Sequence, residues 1–520
     1  MKILACDGIH ADGLTLFKEA GFEVEISDPI KDVAVLAEKL KDFDGIMVRS
    51  ATLITAEALK DAKNLKVIGR AGAGVDTIDV EAATARGIAV MNAPDGNTLA
   101  AAEHAVSLLF ALARHIPRAD AGMKAGEWPK NGLTGFELEG KRLGVIGLGR
   151  IGATVARKAV GIGMEVAAFD PFLPASAAGR MSVPMKSLDE LLAWADIITL
   201  HIPRTKETTN IIGEAQMRKM RKGAYLINAA RGGLVDEDAL LKVLDEGHLA
   251  GAALDTFVTE PLQKESPLRA NAKLILTPHL GASTSEAQQA VSTILARQMI
   301  EFMKTGAVAG CVNLPPLSAE AAKEVGPWMP LMTELGKLAN RLVPAASKLH
   351  ITYAGRTEAL DTRPLSRLLV AAMLGSASGR VTPVNALTEA SARGLLVSET
   401  LGGDGDGFDR LLKIEVGNEK STRSIEATLH RGPRVVRLDG VELDFDPSAH
   451  VLLMKNEDRP GVIGLLGSNL GAAGINIINF SLGATGDGHA LAAITVDREV
   501  QQTQLAGLRT IPGIVSLEMF

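Results

Sequence analysis

A chain of 520 residues exceeds what one hydrophobic core organises, so three or four domains are expected. An apolar content of 47% with only 3% aromatics excludes a disordered chain and points to a closely packed α/β protein rather than a β-sandwich. The 55 basic and 61 acidic residues are interspersed, and the net charge of −6 leaves no basic face for nucleic acid or an anionic membrane. Cys6 and Cys311 stand far apart, which argues against a disulfide framework or a cysteine-rich zinc site, and no metal is expected. The start MKILACDGIHADG has too short an apolar run for a signal peptide, since Asp7 interrupts it. No run of about 18 charge-free apolar residues lacking glycine and asparagine offers a membrane span, and a cytoplasmic protein is expected.

From the amino terminus, strand-like and helix-like patterns alternate: KILACD, a helix through LFKEAG, then EVEIS, VAVLAEKL, DGIMVRS and NLKVIGRAGAG. This predicts a small doubly wound unit over residues 1–97. A long helical stretch begins near NAPDGNTLAAAEHAVSLLFALARHIP and opens a second unit, 98–284, whose strands include IITLHIP and AYLINAA. The helix STSEAQQAVSTILARQMIEFMKTG then returns to the first unit, which becomes discontinuous, 1–97 with 285–315. A cleft between two doubly wound lobes is where ligands bind in such sheets.

Within the second unit, KRLGVIGLGRIG places an apolar strand before Gly147, Gly149 and Gly152. Gly147 permits the tight turn, Gly149 lets backbone approach a pyrophosphate, and Gly152 lets helix pack on strand. Eighteen residues beyond Gly152 the run MEVAAFD ends on Asp170, the spacing of a carboxylate that grips an adenosine ribose. That carboxylate accepts from a free 2'-hydroxyl and repels a 2'-phosphate, and no arginine follows Pro171 and Phe172, so the expected cofactor is NAD rather than NADP. The plainer alternative is a glycine turn with no ligand.

Three residues downstream carry chemistry: Arg231 in INAARGGLVDE, Glu260 in DTFVTEP and His279 in LTPHLGAST. Oxidation of a 2-hydroxy acid needs a cation for the carboxylate, a base for the hydroxyl proton and a carboxylate to orient that base. His279 is read as the general acid/base, Glu260 as the group that orients it and stabilises its imidazolium, and Arg231 as a bidentate holder of the substrate carboxylate. Taken singly, His279 could be a core histidine, Glu260 a residue opening a helix before Pro261, and Arg231 a surface ion-pair partner. A phosphorylated substrate would need further cations, and Arg49 with Ser50 at the end of DGIMVRS, together with Arg70 and Asn97, are the candidates.

At NLPPLSAE the composition changes to a proline-containing linker, followed by a 316–442 segment in which GGDGDG reads as a loop and STRSIEATLHRGPRVVRLDG as strands and a turn. In the last segment, 447–520, HVLLMKNEDRPGVIGLLGSNLGAAGINIINFSLG reads as a strand, a DRPG turn opening a helix with Asp458 near its N-cap and Pro460 in its first turn, and another strand.

VRSATLIT, GRAGAGVDTID, GNTLAAAEH, GLGRIG, NAARGGLVDE and TPHLGAST together resemble the D-isomer-specific 2-hydroxyacid dehydrogenases, in the long-form branch that oxidises phosphoglycerate. These motifs cover roughly residues 1–315, and the tail resembles that branch's intervening and ACT domains. The resemblance implies an α/β fold of two doubly wound parallel-sheet lobes, a discontinuous substrate domain and a Rossmann NAD domain, then an α+β intervening domain and a ferredoxin-like ACT domain. It implies oxidation of 3-phospho-D-glycerate to 3-phosphooxypyruvate with NAD, the entry step of L-serine biosynthesis. It further places Arg150, Ile151, Ile202, Ala229, Ala230, Asp255, His279, Gly281 and Ala282 around the cofactor, with Asp255 holding the carboxamide and Ala73 giving a main-chain or packing contact. Lys130, near Trp128, is the one basic candidate for reaching a neighbouring subunit's site. Asn456, Asp458 and Asn476 would line an interface pocket for L-serine as effector, in a homo-oligomer of two or four chains. The alternatives are a glyoxylate or hydroxypyruvate reductase, and a non-enzymatic NAD-sensing protein resembling the corepressors of this fold; the tail and Arg49 argue against both.

Overall fold

The computed structural model describes residues 1–173, 183–305, 310–315, 317, 319–357, 360–375 and 381–520; Pro316 and Ser318 of the expected linker lie outside them. The short apolar runs at the amino terminus become β1 (Lys2–Ala5), β2 (Glu23–Ile26), β3 (Gly45–Val48), β4 (Val67–Arg70) and β5 (Ala89–Asn92). All pair in parallel, in the order β2-β1-β3-β4-β5. A parallel sheet needs both faces covered, which is why β3 is apolar and buried along its whole length. One face is covered partly from far along the chain: Val291, Leu295, Ala296 and Met299 of the helix Ser285–Thr305 join the core of the first sheet. Two glycines let this helix in. Gly69 of β4 faces Met299 and Leu295, and a Cβ at Gly13 would lie 2.8 Å from the Ser292 carbonyl oxygen.

The second sheet comprises β6 (Arg142–Ile146), β7 (Glu165–Phe169), β8 (Ile197–Leu200), β9 (Ala224–Asn228), β10 (Leu249–Leu254) and β11 (Leu274–Leu276). It too is wholly parallel, in the order β11-β10-β9-β8-β6-β7. The helices Thr98–Arg114 and Arg150–Gly161 close one face with Ala102, Ala105, Leu109, Val155 and Ala159. Because every strand runs the same way, all six carboxyl ends emerge on one edge, and the order reverses between β6 and β8. That reversal is the crevice in which such sheets bind ligands.

The third sheet is mixed, with β12 (Lys348–Gly355), β13 (Leu396–Leu401), β14 (Arg410–Gly417), β15 (Thr422–Leu429), β16 (Pro433–Leu438) and β17 (Val441–Phe445). Only β12 and β13 pair in parallel, and the helices Met329–Leu342 and Arg363–Gly375 pack on one face. The fourth is antiparallel, β19 (Ile477–Ala484), β20 (His489–Val496), β18 (His450–Glu457) and β21 (Ile514–Met519) in that order. With the helices Val462–Ala472 and Gln502–Leu508 between strands, this is a ferredoxin-like βαββαβ unit, so the chain has the expected fold class.

One local expectation fails. Gly461, at φ 99°, is the N-cap of the helix Val462–Ala472, which carries no side-chain cap bond. Pro460 therefore precedes the helix, and Asp458 sits further out, its backbone N–H donating to the Gly488 carbonyl at 3.0 Å. A left-handed glycine turns the chain sharply enough that no capping side chain is needed. No single helix among the described residues is long and apolar enough to cross a membrane.

Candidate active site

The glycine-rich turn leaves β6 with Gly147 at φ 94°, a conformation that suits glycine. A Cβ there would lie 2.5 Å from Ile202 Cγ2 and 2.6 Å from the His201 carbonyl oxygen, whereas nothing lies within 4 Å of one at Gly149. At Gly152 a Cβ would strike the Gly147 carbonyl, so that glycine holds helix against turn. The helix Arg150–Gly161 starts with no side-chain cap, which leaves its first N–H groups for a ligand. Asp170, at the end of β7, is held by three amides: Oδ2 accepts from Leu148 N at 2.7 Å, and Oδ1 from Phe172 N at 2.8 Å and Leu173 N at 3.2 Å. Gly149, Arg150, Asp170, Phe172, His201 and Ile202 help line a cavity of about 580 Å³. Bare backbone, free helix N–H groups and a fixed carboxylate in one cavity fit a dinucleotide.

His201 after β8 was not singled out in the sequence. Burial pushes its pKa down to about 4, and its Nε2 lies 3.0 Å from Thr199 Oγ1, so it is neutral at physiological pH. Arg150 does not point freely into the cavity either, because its Nε meets Asp95 Oδ1 at 2.5 Å.

Beyond β9 the turn through Ala229 and Ala230 is shaped by buried Asn228, whose Oδ1 accepts from Ala230 N at 3.2 Å and whose Nδ2 donates to Arg231 O at 2.9 Å. This aims Arg231 across the cleft, where its Nε donates to Asp76 Oδ2 of the first lobe at 3.0 Å. Beyond β10, Asp255 has no exposed surface. Its Oδ1 accepts from Thr277 Oγ1 at 2.6 Å and Leu280 N at 2.8 Å, its Oδ2 from Gly281 N at 2.9 Å, and His104 Nε2 lies 3.1 Å away. Burial would raise the Asp255 pKa, but the bonds from His104, Thr277 and Leu280 outweigh it and keep the carboxyl below the ordinary range. The direct hold on a carboxamide that the resemblance implies needs an exposed oxygen, which Asp255 lacks in this conformation; it anchors the loop carrying His279, Gly281 and Ala282.

His279 stands on that loop at φ 54°, its N–H donating to the Asp255 carbonyl at 2.9 Å. Its Nδ1 lies 2.7 Å from Glu260 Oε2, while Glu260 Oε1 accepts from Phe257 N at 3.0 Å. Burial acts to raise the Glu260 pKa, yet the bonds from His279 and Phe257 prevail and lower it. With Nδ1 engaged, Nε2 is the nitrogen available to a substrate hydroxyl. The expected Arg231, Glu260 and His279 thus all lie on one edge of the second sheet.

The first lobe turns its own strand ends to the cleft. Asp7, beyond β1 at φ 65°, gathers the loop after β3: Oδ2 accepts from Arg49 N, Ala51 N and Thr52 N at 2.9, 3.1 and 3.0 Å, and Oδ1 from Thr52 Oγ1 at 2.6 Å. Arg70 closes β4 and donates its Nε to the Arg49 carbonyl at 3.2 Å. Burial pushes its pKa down to about 10, and the charges of Arg231 and Arg49 act in the same direction, so three arginines from two lobes share one field. Asn97 is buried at the start of the helix Thr98–Arg114 with its Oδ1 unpartnered. Ser50 is exposed, as is the Trp128 to Lys130 segment at Trp128.

The effector candidates do not converge within one chain. Asn456, buried with an unpartnered Oδ1, and Asp458 lie at the carboxyl end of β18, where Asn456 pairs with Ala490. Asn476 lies at the other end of the sheet, its N–H donating to Asp497 Oδ1 at 3.0 Å, beside the Ile477–Val496 pair. Along a strand that separation is on the order of 20 Å.

Comparison with known proteins agrees with this geometry. Residues 106–281 match the NAD-binding domain of D-isomer specific 2-hydroxyacid dehydrogenases, and residues 324–439 match the D-3-phosphoglycerate dehydrogenase intervening domain. Among solved structures, a glyoxylate reductase from Paecilomyes thermophila superposes on 60% of this chain and 98% of its own with a TM-score of 0.55 at 30% identity. An NAD-dependent formate dehydrogenase from Staphylococcus aureus in complex with NAD does so on 59% and 97%, with a TM-score of 0.53 at 30% identity. The fold and the site define an NAD-dependent dehydrogenase of the 2-hydroxyacid class. The D-3-phosphoglycerate dehydrogenase of Bacillus subtilis is 37% identical over 100% of this chain and 99% of its own length, and that of Methanocaldococcus jannaschii is 38% identical over 99% and 98%. The chain belongs to the D-3-phosphoglycerate dehydrogenase family.

Proposed function

We propose that this chain oxidises 3-phospho-D-glycerate to 3-phosphooxypyruvate, the entry step of L-serine biosynthesis. Bound NAD supplies the hydride acceptor. His279 Nε2 takes the C2 hydroxyl proton, Glu260 holds the ring through Nδ1 and stabilises the imidazolium, and Arg231 holds the carboxylate. Arg49 and Arg70, with Ser50 and Asn97, receive the phosphate end. Asp170 accepts from the adenosine ribose; Gly147, Gly149, Arg150, Ile151 and Gly152 border the pyrophosphate; and Ile202, Ala229, Ala230, Gly281 and Ala282 enclose the nicotinamide end. The reading is carried above all by the 2.7 Å bond between His279 Nδ1 and Glu260 Oε2 on the sheet edge that also bears Arg231.

The chain divides accordingly into a substrate domain (1–97 with 285–315), an NAD domain (98–284), an intervening domain (316–442) and an ACT domain (447–520). L-serine is the proposed effector, held by Asn456 and Asp458 of one chain with Asn476 of another, which requires a homo-oligomer; the cytoplasm is the proposed location. The test compares NADH formation from 3-phospho-D-glycerate with NADH oxidation by glyoxylate and hydroxypyruvate, using the native chain and Arg49→Ala. A strong preference for the phosphorylated acid that collapses in the variant is expected. Better use of the unphosphorylated acids would make the chain a reductase instead.

A further inference from the structure

The cleft contains an acidic side chain to which the reaction as described gives no task. Asp76 stands in the loop beyond β4, in the lobe opposite Arg231, and its Oδ2 accepts from Arg231 Nε at 3.0 Å. Arg231 Nη1 turns back to its own lobe and donates to the Ala230 carbonyl at 2.7 Å. Beneath the pair lies Gly74, where a Cβ would strike Arg231 Nη2 and come within 2.5 Å of Asp76 Oδ2. Bare backbone at that position leaves room for both side-chain ends as they stand. The pair sits in the mouth of the cleft, with Asp76 54% and Arg231 28% exposed in their side chains.

A guanidinium carries five donors in one rigid plane. With Nε fixed by Asp76 and one Nη1 hydrogen fixed by Ala230, the plane is held at two points. The donors left are those of Nη2 and the second of Nη1, which together form the head-on fork that a carboxylate accepts bidentately. Asp76 also counters the repulsion among the clustered cations, since its charge supports the protonated Arg70 against Arg231 and Arg49.

We propose that Asp76 is a positioning residue for recognition of the substrate carboxylate. It sets the Arg231 plane from across the cleft, so that the fork is correctly aimed only while the two lobes are apposed. This rests on the reading of Arg231 as the carboxylate's partner.

The test uses the full chain carrying Asp76→Asn, Arg231→Lys or both. It measures kcat, KM for 3-phospho-D-glycerate and for NAD, inhibition by oxalate and by inorganic phosphate, and melting temperature. Asp76→Asn is expected to raise the phosphoglycerate KM and the oxalate inhibition constant by about fivefold, because the amide oxygen still accepts from Nε but the charge that strengthens and fixes the bond is lost. The NAD KM, kcat and melting temperature should stay within roughly twofold or a few degrees, because none of these reads the carboxylate fork, and inorganic phosphate should bind no more weakly, since loss of the Asp76 charge leaves the Arg49 and Arg70 field more positive. In the Arg231→Lys background the second substitution should add little, since lysine has no plane to set. An unchanged or lowered KM in Asp76→Asn, or full additivity in the double variant, would overturn the proposal. If Arg231→Lys by itself leaves the phosphoglycerate KM unchanged, the reading of Arg231 falls and this inference with it. A large Arg231→Lys effect beside a silent Asp76→Asn overturns the inference alone.

Discussion

Two neighbouring glycines in the same turn should respond oppositely to one added methyl group. At Gly147 the backbone is left-handed, φ 94°, and a new Cβ would lie 2.6 Å from the His201 carbonyl oxygen, where an ordinary contact begins at 3.4 Å. A methyl group there must push backbone by most of an ångström and adopt a disfavoured conformation, which costs about 1–2 kcal/mol for the conformation and 1–3 kcal/mol for overpacking. In a domain of this size each kcal/mol lowers the melting temperature by about 2–4 °C, so Gly147→Ala should lose roughly 4–20 °C. At Gly149 nothing lies within 4 Å of the added Cβ, and stability should hold within about 0.5 kcal/mol. The open space there is where backbone must approach a pyrophosphate, so Gly149→Ala should weaken NADH binding about tenfold or more. Differential scanning fluorimetry and NADH fluorescence titration read the two effects separately. If Gly149→Ala binds NADH as the parent does, or melts as early as Gly147→Ala, the open space above Gly149 is not where the cofactor lies.

Four further outcomes follow from the site. His279→Ala should nearly abolish turnover while NADH titration stays close to the parent, and Glu260→Gln should cost about 10²-fold in kcat with the loop intact; equal loss of NADH binding would mean that the loop had collapsed. Asp7→Asn weakens the four bonds that gather residues 49–52, and should raise the KM for phosphoglycerate more than that for NAD; equal shifts would assign Asp7 a general structural role. His201 has a folded pKa of about 4 against 6.5 for a free histidine, so the unfolded chain takes up its proton first as pH falls. Stability should drop between about pH 6.5 and 4, by at most about 3 kcal/mol, and level off below, with no contribution at neutral pH. Urea melts of His201→Asn should show a flatter slope across that window, and an unchanged slope would refute the assignment.

Much of this was legible because it is local. The run LGVIG before Gly147, the Asp170 spacing and the strand-ending positions of Arg231 and His279 all follow from periodicity and turn chemistry close in sequence. The residues that were missed act across the fold. Asp7 meets Arg49 only because β1 and β3 are neighbours, and Asp76 meets Arg231 only because two lobes face each other 155 positions apart in sequence. His104 reaches Asp255 from the helix Thr98–Arg114, an element whose pattern reads as packing alone. Asn228 was visible in INAARGG, yet only its two bonds to the Ala230 to Arg231 turn reveal what it does. The separation of Asn476 from Asn456 depends on strand register, which no spacing along the chain encodes.

The helix Ser285–Thr305 also gives the molecule an order of events in time. At the ribosome, the strands of the first sheet are all made by residue 92, but one of their faces is covered only by Leu14 and Phe17 of the helix Ala11–Glu19 until Leu295 and Met299 arrive. At about 5–20 residues per second, that interval of some two hundred residues lasts roughly 10–40 s. The second sheet, with its strands contiguous from Arg142 to Leu276, can close before then. The nascent chain therefore holds an unfinished amino-terminal lobe beside a finished later one, and Met47, Val67 and Met91, short of their full cover, are the side chains that a holding chaperone would meet in that window.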